Sequence, residues 1–196
     1  PDIDISACNE GNEGNEGAFQ KACRNGHLEV AKWLLSVKPD INISALNEFA
    51  FRCACCNGNL KVAEWLLSVK PDINISAMNE WAFRFACLND FIIVAEWLLS
   101  VKPDINISAL NECAFRSACS KRDLKVAKWL LSIKPDIDIS AEDDYAFRIA
   151  CIIGDLKVVQ WLLSVKPDID ILVEYENAFR LACDNDKLYV AQWLLS

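Results

Sequence analysis

Residues 39–70 read PDINISALNEFAFRCACCNGNLKVAEWLLSVK, and residues 71–102 repeat them as PDINISAMNEWAFRFACLNDFIIVAEWLLSVK. Working outward, Pro39, Pro71, Pro103, Pro135 and Pro167 keep a period of 32 residues, as do Trp33, Trp65, Trp97, Trp129, Trp161 and Trp193 and the cysteines at 23, 55, 87, 119, 151 and 183. Self-similarity at this period marks an array of stacked units. Within one unit Ala50, Phe51, Ala54 and Cys55 recur at helical spacing, Asn57-Gly58 interrupts, and Leu60, Val62, Ala63, Leu66 and Leu67 form a second helical face. The second helix must stop at Lys38-Pro39 and its equivalents, because proline disfavours helical geometry in the residue before it and has no amide hydrogen. The short, alternating DINIS that follows reads as one arm of an extended hairpin. A single irregularity, Asn9 to Gly17, spells NEG three times and reads as a flexible loop insert lacking the ordered ligand pattern of a calcium site.

Composition narrows the function classes. The chain has 196 residues, 53% of them hydrophobic and 24% charged, with a formal charge of -8, which describes a folded domain rather than a disordered segment. An excess of Asp and Glu over Lys and Arg leaves no basic footprint for nucleic acid. No stretch approaches the roughly 18 to 20 apolar residues that cross a bilayer, so no membrane partner is expected. One histidine, His27, leaves little for general base or metal chemistry; neither catalysis nor a cofactor is expected. Ten cysteines repeating in register read as reduced, small buried residues, and Cys53 with Cys56 falls short of the four ligands of a structural zinc site.

The segment Gly26 to Leu35, GHLEVAKWLL, closely resembles the helix-turn-helix signature of the ankyrin repeat, and KPDINI from Lys38 resembles that family's GADVNA. The resemblance implies an all-α solenoid of six ankyrin-like helix-turn-helix repeats of 32 residues joined by β-hairpin-like loops. The units are expected at 1–38, 39–70, 71–102, 103–134, 135–166 and 167–196, as one array expected to be part of a longer one. The variant first helix, NEFAFRCAC, resembles the ankyrin arrays abundant in giant viruses of amoebae, which implies a cytoplasmic protein acting in the host cytoplasm on a host or viral target. In that alignment Arg52, Arg84, Arg116, Arg148 and Arg180 take the family's histidine position, with Gln20 in the first unit, and an acid four residues earlier is spaced for a local ion pair. His27 is expected to brace its turn by a hydrogen bond. The turn glycines Gly26, Gly58 and Gly154 become Asp90, Arg122 and Asp186, at about 1 kcal/mol each wherever a left-handed conformation is held.

A helix pair cannot bury its own apolar faces, so neighbours must stack, with the tryptophan column expected as the main packing element. The opposite stripe of each first helix, at 49, 52, 53 and 56 and their equivalents, should then face away from the core. Hairpin positions adjoin it. This stripe is largely apolar in the second, third and fifth units, and in the ankyrin family the matching surface is the concave face that binds other proteins. Leu46, Phe49, Cys56, Met78, Trp81, Leu88, Leu110, Tyr145, Ile152 and Ile153 are therefore the expected partner-binding residues. The expected function is a protein-protein interaction scaffold. The alternative is end-to-end self-association into a filament or lattice, because the last unit ends in AQWLLS with the apolar residues of an interior one.

Overall fold

A computed structural model describes residues 17–121, 124–167 and 171–195, and among them all regular structure is helical. The NEG triplets up to Glu16, Arg122, and the side chains of Glu174 and Glu176 lie outside what is described. Two compact units divide at Asn106. The first contains α1 (Ala18–Arg24), α2 (Leu28–Val37), α3 (Ala45–Cys56), α4 (Leu60–Val69), α5 (Ala77–Leu88) and α6 (Ile92–Val101). The second contains α7 (Ala109–Cys119), α8 (Lys125–Ile133), α9 (Ala141–Ile153), α10 (Leu156–Val165), α11 (Ile171–Asp184) and α12 (Leu188–Leu194). Odd-numbered helices stack on one another within each unit, and each packs against the even-numbered helix that follows it. The proline stop works as the sequence requires: Lys38 leaves the helix at φ -129°, and its amide donates to Leu34 O at 2.9 Å before Pro39 ends the pattern.

Turns between paired helices hold left-handed residues. Gly26 has φ 76°, and a Cβ there would lie 2.5 Å from Asn59 Oδ1, whose amide donates to Arg24 O at 2.7 Å and ties one repeat to the next. Asp90 and Asp186 adopt φ 63° and 57° where glycine is missing. His27 serves its turn through its main chain, its amide donating to Ala22 O at 2.9 Å, and its side chain makes no capping bond.

The hairpin expectation fails. No strand occurs among the described residues, and DINIS curls instead of extending. Asn42 Oδ1 accepts from the Ser44 amide at 3.1 Å and Asn74 Oδ1 from the Ser76 amide at 3.2 Å, a local turn that competes with strand pairing. The first isoleucine of each DINIS, such as Ile41 or Ile73, is buried, which explains the alternation without a sheet.

The core differs as well. Phe19, Phe51, Phe83, Phe115 and Phe147 are its fully buried large side chains, whereas the tryptophans are half-buried and Trp33 is 58% exposed. The indoles of the 32-residue column lie on second helices, and three of them lean on the phenylalanine of the repeat before: Phe19 meets Trp65 at 6.2 Å between ring centroids, Phe51 meets Trp97 at 6.1 Å, and in the second unit Phe115 meets Trp161 at 6.2 Å. Tryptophan is thus a clasp between repeats, and the smaller ring inside the helix pair fills the centre. Of the cysteine column, Cys23, Cys55, Cys87, Cys119 and Cys151 are buried and unpaired as expected, but Cys183 is exposed.

Candidate functional site

The loop tips are built by an uncommon backbone. Leu46, Asn47 and Glu48 have φ of 55°, 55° and 62°, a complete left-handed turn at the head of α3. Met78-Asn79-Glu80, Leu110-Asn111-Glu112 and Glu142-Asp143-Asp144 repeat it on α5, α7 and α9. An L-residue held this way costs roughly 1–2 kcal/mol, least for Asn and Asp. Something must hold the turn. Arg52 does so, donating from Nε to Asn47 O at 2.7 Å and from Nη2 to Leu46 O at 3.0 Å. Arg84 and Arg116 make the same pair of bonds to the turns at 78–79 and 110–111. Arg148 keeps the bond to Glu142 O at 3.0 Å, with its Nε buried and unpartnered.

The expected Glu-to-Arg pairing along the helix is therefore replaced by a carbonyl clamp. Glu48 Oε1 accepts instead from the Asn74 amide of the following repeat at 3.3 Å. Glu80 and Glu112 reach the amides of Asn106 and Asp138 in the same way, both at 3.4 Å. One column of acids links repeat to repeat while one column of arginines shapes each turn. Burial pulls the Arg52 guanidinium below its ordinary value, and Cys53 and then Glu48 nearby push it back up.

This scaffolding positions the stripe. Leu46, Met78 and Leu110, each the first residue of a left-handed turn, stand 52%, 50% and 49% exposed. Tyr145 is also exposed, while Phe49, Cys56, Trp81, Leu88, Ile152 and Ile153 are half-buried. Arg52, Cys53 and Arg84 are buried, so the stripe does not face away from the core along its whole width, as helical geometry alone suggested. In the first unit Arg52 lies 4.8 Å from the Trp81 ring centroid and 5.7 Å from that of Phe49, and Trp81 stacks on Phe85 at 4.1 Å and 18°. In the second unit Arg116 lies 5.1 Å from the Tyr145 ring. Arg52 and Arg116 thus each grip their own turn and support an aromatic ring of the next repeat. Cys56 is engaged too, its O and Sγ accepting from Asn89 Nδ2 at 3.0 and 3.3 Å.

Sequence reasoning missed the latching role of Glu48, Glu80 and Glu112; the signal was an acid recurring in register one residue before the stripe. Among the described residues no group of three or more His, Cys, Asp and Glu side chains is arranged to hold a metal ion, and no helix is long and apolar enough to cross a membrane.

Two family models match the chain, ankyrin repeats (3 copies) over residues 3–79 and ankyrin repeats (many copies) over residues 115–163. Among solved structures, the ankyrin repeat domain of human ASB11 is similar in fold, with a TM-score of 0.66 and 17% identity over 92% of this chain and 83% of that one. No curated protein matches in sequence.

Proposed function

Because the chain belongs to the ankyrin-repeat family, whose repeats generally mediate protein-protein interaction, we propose that it is a non-enzymatic scaffold capturing a partner protein on its loop tips and the adjoining first-helix stripe. The observation that carries this reading is the exposure of Leu46 and Met78 on turns whose strained backbone is clamped by arginine. A large apolar side chain held outward on a rigid support loses little freedom on binding, which is how preorganisation raises affinity. Exposed Asn47 and Asn79 beside them supply the polar rim, and Phe49 and Trp81 the aromatic floor. In the second unit Leu110, Tyr145, Ile152 and Ile153 form the corresponding set. The variant first helices favour a place among giant-virus arrays, and with it action on a target in the host cytoplasm.

Leu46→Asp with Met78→Asp is the cleanest test. Asp tolerates the left-handed region, as Asp143 does in its own turn, and the side chains replaced are half in solvent. The melting temperature is expected to hold while capture of bound protein from a cell extract falls; capture of the same species in the same amount would remove the reading. A second reading, end-to-end association, is favoured by the exposure of Leu188, Tyr189 and Leu195 on and beside α12. Sedimentation that rises with concentration would support it, and a monomer at every dilution would end it.

A further inference from the structure

The dipeptide Asn-Gly occurs twice, as Asn25-Gly26 and Asn57-Gly58, at the same place in the turns of successive repeats. In this pair a backbone amide can reach the side chain before it, because glycine has no Cβ to shield its nitrogen. The two turns share one backbone. Asn25 has φ -90° and ψ 2°, Asn57 has φ -103° and ψ 12°, and the glycines have φ 76° and 73°. Gly26 N donates to Cys23 O at 3.2 Å and Gly58 N to Cys55 O at 3.1 Å, so both amides are engaged alike. Both asparagines are exposed. Their side chains differ: Asn57 Nδ2 donates to Cys53 O at 2.8 Å, whereas Asn25 has no side-chain hydrogen bond among the described residues.

We propose that Asn25 is a site of spontaneous modification, becoming isoaspartate and aspartate with water as the co-reactant, while the matching Asn57 is protected by its side-chain bond. The turn opens locally, and Gly26 N gives up its proton to solvent and attacks Asn25 Cγ. The Cγ–Nδ2 bond breaks, and Nδ2 takes a proton from solvent and departs as ammonia, leaving a cyclic imide. Water then opens either carbonyl of the imide; nothing is oxidised or reduced. At Asn57 the same step must first release Nδ2 from Cys53 O, which should slow it by about two- to tenfold. The product bears on the array. Asn59 Nδ2 donates to Arg24 O at 2.7 Å, and Asn59 Oδ1 lies 2.5 Å from where a Gly26 Cβ would be. An isoaspartyl link adds a backbone carbon before Gly26 and so pushes the turn against the residue that ties the first repeat to the second. This chemistry does not depend on what the chain captures.

The test keeps the whole chain in mildly alkaline buffer, folded and in urea, and follows isoaspartate at both sites by peptide mapping with mass spectrometry. In the folded chain Asn25 should convert about two- to tenfold faster than Asn57, and in urea the two rates should converge. Equal rates in the folded chain, no conversion at Asn25, or the same ratio in urea would each overturn the proposal, the last by assigning the difference to neighbouring sequence. The aged, more acidic form collected by ion exchange should melt below the Asn25→Asp variant, which carries the charge without the extra backbone carbon. Equal melting would overturn the strain assigned to the repeat tie.

Discussion

At the scale of the single residue, the clearest contrast is between the two aromatic columns. Phe51 is sealed inside its helix pair, so truncation to Ala removes a whole ring from a close-packed site and is expected to cost about 3–5 kcal/mol. Trp33 has most of its indole in solvent, and Trp33→Ala should cost less than about 1 kcal/mol even though the residue recurs in every repeat. Urea unfolding of both variants at one temperature decides the matter, and equal losses would mean that the indole column carries the core after all. Recurrence in sequence made the two columns look alike. Their difference comes from which helix of the pair bears each ring, since the second helix turns one side outward and the first is hemmed by its neighbours.

At the scale of the element, the helices were legible and the loop was not. Apolar spacing located both helices of every repeat, and Lys-Pro located the end of the second, because these are properties of nearby residues. The left-handed turn could not be read this way: Leu, Met and Glu all disfavour positive φ, and only the tertiary clamp from an arginine five or six residues on makes the turn hold. The same cause hid part of the site, since Arg52 was placed on the outward stripe with an acid partner and is buried under carbonyls and rings. Leu46, Met78, Leu110 and Tyr145 were legible because departure from a polar stripe needs no tertiary knowledge. The clamp yields a prediction of opposite signs. Arg52→Lys retains the charge but loses the two-pronged contact, and should destabilise by about 1–3 kcal/mol. Asn47→Gly, at φ 55°, relieves the turn and should be neutral or stabilise by up to about 1 kcal/mol. Chemical denaturation of the pair checks both, and a neutral Arg52→Lys would show that the turn stands without its clamp.

At the scale of the whole molecule, both units share one chemical feature, a buried thiol in the same place of successive repeats. Burial pushes Cys23 and Cys151 from 9.0 up to about 12, with Cys53 adding to the rise at Cys23, and burial likewise raises Cys55, Cys87 and Cys119. In the unfolded chain these thiols lose their protons as pH passes 9.0, while in the native state they keep them to about 12. Between those limits the unfolded state binds fewer protons, so stability is full below the lower limit and falls as pH rises, by up to about 1.4 kcal/mol per pH unit for each thiol. Several thiols acting together make the fall steep. Thermal midpoints should be level from about pH 7 to 8.5 and drop sharply above pH 9. Cys87→Ala with Cys119→Ala removes one such group from each unit and should reduce the alkaline slope by about two protons, whatever it does to the midpoint at neutral pH. Lysines and tyrosines also titrate in this range but are untouched by the substitutions, so a slope that stays the same would assign the alkaline loss to them and not to the buried thiols.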